Sequence, residues 1–245
     1  MISVCILTKN AVLTLPNTLK STASFPEVIV LDNGSTDETC DLAATFPNVK
    51  IFKSPFIGFG PLKNAAAQLA THDWILSLDS DEVLSLPLIQ ELHDLVLNTR
   101  VAYRMPRHNY YNGKWIRGCG WDHESIARLY HRHSARFSDA KVHESLIADP
   151  VIPLSSPILH TPYRSTTDFL LKMQHYSTLF AEQYQGKRNA SFGKALAHAF
   201  YAFFRSYCLK RGFLCGSEGL MISIYNANTT FYKYLKLAEC NQRDR

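Results

Sequence analysis

The six cysteines, Cys5, Cys40, Cys119, Cys208, Cys215 and Cys240, include no Cys-x-x-Cys pair. That absence excludes the usual structural zinc sites and leaves free thiols as the simpler reading. No uninterrupted apolar segment reaches about 18 residues, so no membrane span is expected. The opening Met1-Ile2-Ser3-Val4-Cys5-Ile6-Leu7 has no basic segment ahead of its apolar run, and the run is too short for a signal peptide. A cytoplasmic protein is expected, with attachment to a membrane surface left open. Repeats and low-complexity segments are also lacking. Charge of one sign is modest: 26 lysines and arginines against 21 acids give +5 and a pI near 8.8. An anionic substrate or anionic membrane surface suits that balance, and nucleic acid is not called for.

What is present in quantity is apolar sequence, 46% of 245 residues, enough for one large domain or a domain with an appendage. Its most telling stretch is Trp74-Ile75-Leu76-Ser77-Leu78-Asp79-Ser80-Asp81-Glu82, an apolar run that ends in three carboxylates within four residues. A strand covered on both faces reads this way, and ligands of open α/β sheets bind beyond the carboxyl ends of such strands. Taken alone, the acids serve equally well as a turn and helix cap.

Other strands repeat the pattern. Ile2 to Leu7 leads into Thr8-Lys9-Asn10, and Val28 to Leu31 leads into Asp32-Asn33-Gly34-Ser35-Thr36-Asp37. Helices are predicted from Thr14 to about Thr22, from Ser35 or Thr36 to about Thr45, and from about Leu62 to Thr71, with a short strand over Val49 to Phe52. Gly58 and Gly60, before the third helix, read as turn glycines or as a backbone approach to a phosphate. Strands alternating with helices predict an α/β fold with a doubly wound, mostly parallel sheet. Its polar tips then converge on one edge, which turns the acids after Leu78 from a turn into a candidate site.

Beyond a helix from about Leu86 to Asn98 the pattern changes. Val101 to Met105, Ile126 to His131 and Ala140 to Leu146 read as strands, His108 to Gly120 as an aromatic and glycine-rich loop, and Val151 to His160 as an extended segment. From Thr166 three helices follow, about Thr167 to Gln185, Phe192 to Lys210 and Ser217 to Leu237. The expected organisation is a sheet domain over 1–164 and a helical extension over 165–245.

Thr8-Lys9-Asn10, Asp32-Asn33-Gly34-Ser35-Thr36-Asp37, Lys63-Asn64 and Leu78-Asp79-Ser80-Asp81-Glu82 together resemble the family 2 glycosyltransferases of the GT-A fold. Gly120-Trp121, Arg128-Leu129-Tyr130, Arg136-Phe137, Val142-His143-Glu144, Ile158-Leu159-His160 and Gly212-Phe213-Leu214 resemble the bacterial subgroup that adds a hexose to the lipopolysaccharide inner core. The resemblance implies inverting transfer of a hexose, glucose, from a nucleotide-diphosphate sugar such as UDP-glucose to a glycolipid or oligosaccharide acceptor. By the same resemblance, Asp81, Asp79 and His160 would serve a divalent metal, Mn or Mg, and the donor diphosphate. Carboxylates suit either ion, and an imidazole suits Mn better. Thr8, Asp32, Ser35, Lys63, Asn64 and Asp79 would bind the nucleotide sugar.

Inversion needs a base for the acceptor hydroxyl. Glu144 is favoured over Glu124, with Asp122 a third choice. The subgroup usually reads Pro-Asp where this chain has His123-Glu124, a departure on the acceptor side. Glu144 could instead form a structural ion pair with Arg128 or Arg136.

His198 to Arg211 is rich in aromatics with cationic residues at its end, which suits packing against the remaining chain, an inner-membrane surface, or a homodimer contact. Two alternatives to a glycosyltransferase are a sugar nucleotidyltransferase and a non-catalytic nucleotide-sugar-binding scaffold. The former should carry a glycine-rich basic loop after its first strand, where Thr8-Lys9-Asn10-Ala11-Val12-Leu13 stands instead.

Overall fold

The structure, a computed structural model, describes residues 1–122, 124–140 and 144–243. His123 of the departing pair, Val142-His143 and part of the strand expected over Ala140 to Leu146 lie outside them. The chain divides into two compact units. The first comprises Met1–Arg107 and Glu124–His160, the second His108–His123 and Thr161–Arg245.

In the first unit, β1 (Ile2–Thr8), β2 (Glu27–Asp32), β3 (Val49–Lys53) and β4 (Trp74–Asp79) alternate with α1 (Leu15–Ser21), α2 (Thr39–Ala43) and α3 (Phe59–Leu69). These four strands are parallel in the order β3-β2-β1-β4. The order reverses between β1 and β4, the place where open α/β sheets bind ligands. There Leu7 of β1 stands opposite Asp79 of β4. Alternation along each strand feeds two cores. Val4, Ile6, Val28, Val30, Leu76 and Leu78 pack on one face with Leu15 and Leu19 of α1. Cys5, Leu7, Ile29, Leu31 and Ile75 pack on the other with Leu62, Ala66 and Ala67 of α3.

The opposite end of this parallel half is closed by one buried acid. Glu27 accepts the Ser3 hydroxyl (2.6 Å), the Thr71 amide and hydroxyl (2.7 and 2.6 Å) and Lys50 Nζ (2.7 Å). One carboxylate thus links β1, β2, β3 and the approach to β4.

The sheet continues antiparallel. After β5 (Glu82–Leu84) and α4 (Leu86–Asp94) come β6 (Ala102–Tyr111), β7 (Lys114–Trp115) and β8 (Glu124–His131). The β8 strand pairs antiparallel with both β4 and β6. Further short strands are β9 (Arg136–Phe137), β10 (Leu146–Ile147), β11 (Val151–Pro153) and β12 (Ile158–His160), the last antiparallel to β5. The loop expected from His108 is in part a hairpin. Asn112 and Gly113 both take positive φ, 50° and 72°, the two-residue turn that Asn-Gly favours, and Tyr110 and Tyr111 pair with Trp115 and Lys114.

In the second unit, α5 (Thr166–Tyr184), α6 (Phe192–Phe204) and α7 (Gly216–Arg243) surround a core that includes Tyr111, Ile116, Cys119, Phe169, Cys215 and Ile222. Ser165 and Ser191 cap α5 and α6 by accepting the amides of Asp168 and Lys194. Helix α6 ends before the expected Lys210: a π-helical turn covers Arg205–Leu209, where the Ser206 hydroxyl accepts from Ser223 and Asn226 of α7, both at 3.0 Å. No helix among the described residues is long and apolar enough to cross a membrane.

Candidate active site

The tips of β1 and β2 are knitted together. Asn10, at φ 52°, accepts the Thr36 amide (2.8 Å), and the Asn10 amide donates to Ser35 Oγ (2.9 Å). Asp32 accepts the amides of Gly34 and Ser35, each at 3.1 Å, and the Ser35 hydroxyl, so its carboxylate shapes the loop. Thr8 Oγ1 and Asn33 Oδ1 are buried with no hydrogen-bond partner among the described residues. Such orphan oxygens cost about 1–3 kcal/mol each unless a ligand or water satisfies them.

Lys63, on α3, is 2% exposed at its side chain and lies 2.9 Å from Asp79 Oδ1 and 3.1 Å from Glu144 Oε1. Two carboxylate oxygens that touch one nitrogen at those distances are at most about 6 Å apart, the sum of the two contacts. Glu144 therefore pairs with Lys63 rather than with Arg128 or Arg136; Arg136 reaches Asp139 at 3.3 Å. Asn64, the next residue on α3, exchanges two 2.9 Å hydrogen bonds with the backbone of Phe137 and so fastens β9 to the helix.

Asp79 receives a second cation, Arg128 of β8, at Oδ2 (2.5 Å). Burial works against its charge, but Arg128 and then Lys63 outweigh it and hold the carboxyl far below the usual range. Glu82 is fully buried. It accepts Arg128 (2.8 Å), Arg107 (3.1 Å) and the backbone amide of Asp79 (3.0 Å), which curls the acidic tip back on itself. Burial opposes the charge of Arg128 as well, and Asp79 and Glu82 reverse that effect, raising its pKa. Glu124 is held by both ends of the Arg107 guanidinium, Nε at 3.1 Å and Nη2 at shorter range.

Asp81 takes no part in this cluster. Its Oδ2 lies 3.5 Å from His160 Nε2, and both side chains keep some exposure, 31% and 13%. The β12–β5 register, with His160 opposite Glu82, brings the histidine to the acids from nearly 80 residues away in sequence. An oxygen and an imidazole nitrogen side by side could hold a divalent cation such as Mn²⁺. No group of three or more His, Cys, Asp or Glu with metal-binding geometry occurs among the described residues.

The glycine expectation is settled by contact. A Cβ on Gly60 would stand 1.8 Å from the Ser138 carbonyl oxygen, and the Gly60 amide bonds Ala140, so this glycine admits a crossing backbone. Arg107, Arg128 and Asn33 were not marked as site residues by sequence. A lone arginine inside the otherwise apolar strand Ile126-Ala127-Arg128-Leu129-Tyr130 was the available signal for one of them.

Residues 3–143 match the sequence pattern described as glycosyl transferase family 2. The chain belongs to that family. An uncharacterized glycosyltransferase of Rickettsia typhi is similar to this family 2 chain at 28% identity over 100% of it and 89% of the relative. The lipopolysaccharide core biosynthesis glycosyltransferase LpsC of Rhizobium meliloti is 26% identical over 92% of the chain and 86% of LpsC. Among solved structures, S. aureus TarS 1–349 with UDP covers 100% of this glycosyltransferase and 92% of its own chain, at TM-score 0.51 and 16% identity. The mannosyltransferase PcManGT of Pyrobaculum calidifontis, with GDP-Man and Mn²⁺, covers 100% and 87%, at TM-score 0.50 and 16% identity. The fold is GT-A-like with a helical C-terminal region, and membership settles the alternatives in favour of a sugar-transferring enzyme.

Proposed function

We propose that the protein is an inverting, metal-dependent hexosyltransferase that moves glucose from UDP-glucose to a glycolipid acceptor, the lipopolysaccharide inner core, at the inner face of the cytoplasmic membrane. The observation that carries this reading is Lys63, whose one ammonium joins Asp79 at the donor end to Glu144. A base within about 6 Å of the donor acid fits a single displacement at an anomeric carbon between them. The acceptor hydroxyl oxygen bonds to that carbon while its proton passes to Glu144, and the diphosphate leaves with the electrons of the broken bond.

Asp81 and His160 would hold the divalent ion, which when bound supplies positive charge to the leaving diphosphate. Asp79, already paired twice, keeps Lys63 and Arg128 beside that charge. Thr8 and Asn33 offer their orphan oxygens to the nucleoside, and Asp32 with Ser35 sets the loop that presents Asn33. Glu124 is engaged by both ends of Arg107, which favours Glu144 as the base. UDP bound by TarS and the core-biosynthesis name of LpsC support the donor and acceptor classes.

Glu144→Gln tests the reading. Turnover with UDP-glucose is expected to fall by 10²–10⁴-fold, while donor affinity measured by calorimetry stays within about threefold. Full turnover in this variant would remove Glu144 from the chemistry. In parallel, Mn²⁺ with UDP should raise the melting temperature of the wild type, and Asp81→Asn should lose most of that rise.

A further inference from the structure

The charge of the molecule is divided unevenly between its units. Of the 26 lysines and arginines, 12 fall in the first unit and 14 in the second, whereas the 21 acids divide 15 and 6. The skew peaks from Gln183 to Ser217. Those 35 residues hold no aspartate or glutamate but include Lys187, Arg188, Lys194, Arg205, Lys210 and Arg211.

Helix α6 lies in the middle of this stretch. One side of it is taken up by α7: Ala195 is fully buried, and His198 stacks on Tyr234 with centroids 4.2 Å apart and planes 3° from parallel. The other side is bare. Leu196, Phe200 and Phe204, at four-residue intervals, are 49%, 74% and 44% exposed, with Tyr201 exposed beside them. Exposed apolar side chains continue past the helix end at Leu209, Phe213 and Leu214. Scattered surface apolar residues need no explanation, but a contiguous stripe with large aromatics does.

We propose that this face of α6 and the turn after it dock on an anionic lipid bilayer, with α6 lying in the plane of the interface. Aromatic and leucine side chains on one face with cationic residues around them are the pattern that seats a helix at the headgroup boundary. At 13 residues α6 is about 20 Å long, too short to span and long enough to lie flat. Charge selects the occupant. A second copy would bring together two stretches that each carry six cations and no acid, whereas anionic headgroups neutralise such charge. The proposal rests on the reading of a lipid-linked acceptor for its purpose, and it names the surface that would hold the enzyme where such an acceptor lies.

The full chain should float with vesicles of phosphatidylethanolamine and phosphatidylglycerol and not with pure phosphatidylcholine, and the bound fraction should drop as salt rises. Leu196→Ser with Phe200→Ser, both exposed, should weaken partitioning at least tenfold with an unchanged circular dichroism spectrum. Arg205→Gln should weaken it about fivefold. Absence of flotation by folded protein, or equal flotation of the double variant, overturns the proposal. So does a wild-type dimer, seen by light scattering and split by the double variant, that does not bind vesicles. UDP release from UDP-glucose in solution separates the two readings. Vesicle binding without any turnover supports the docking and counts only against glucosyl transfer. Turnover without vesicle binding overturns the docking alone.

Discussion

Glu82 lies one residue beyond the Asp79-Ser80-Asp81 tip yet reaches no solvent, and its carboxylate holds Arg107, Arg128 and the Asp79 amide in one buried network. A buried cation, Arg128, and a half-buried one, Arg107, around one buried acid leave no neutral fallback when the acid is removed. Glu82→Gln is therefore expected to cost about 3–5 kcal/mol of stability, read from urea denaturation. Glu124→Gln, at a side chain 38% exposed, should cost below about 1 kcal/mol in the same experiment. Asp79 stays ionised throughout the mildly acidic range, because its carboxyl titrates far below ordinary carboxylates. The stability that its pairs contribute is present in full above the unfolded pKa and is lost progressively as pH falls below it toward the depressed folded value. The acids of the site were legible in sequence because they end apolar runs. Of the arginines that neutralise them, Arg128 showed only as a lone charge in an apolar strand, since which strand lies beside β4 depends on long-range pairing that no local pattern encodes.

At the scale of the element, β2 carries a buried acid at each end. Glu27 is the one with a pH consequence. Burial raises its pKa, but Lys50, Ser3 and Thr71 together lower it to about 2. A depressed carboxylate contributes stability above its unfolded value near 4.5 and loses it as pH falls toward 2. The full contribution is on the order of 3 kcal/mol, of which about 2 kcal/mol should be gone by pH 3. Urea midpoints at pH 7 and pH 3 check this, because Glu27→Gln should flatten the difference by that amount. The parallel elements were readable since each strand ends in polar residues and each helix returns the chain. The antiparallel half was readable in part: the strand expected over Ile126 to His131 is β8, but β6 runs through Pro106 well past the expected Met105, and Asn112-Gly113, a hairpin signal in its own right, was hidden in an aromatic stretch read as loop. Helix α3 begins at Phe59, ahead of the expected Leu62, because Gly58, at φ 114°, forms its cap.

For the whole molecule, the two compact units are not two consecutive lengths of chain. The helical unit draws Tyr111, Ile116 and Cys119 of its core from the segment His108–His123, ahead of the sheet strands that follow. A fragment of residues 161–245 should accordingly lack a complete core and show weak, non-cooperative thermal unfolding, which calorimetry would reveal. The Glu82–Arg128 pair adds a constraint in time. Glu82 leaves the ribosome 46 residues before Arg128, an interval of roughly 2–9 s at common elongation rates. During that interval the four parallel strands are already made, but the acid that must be buried beside them has no arginine from β8 to meet it. The nascent sheet must therefore keep its acidic edge wet and open, and it closes only when the strand that follows arrives from the opposite direction.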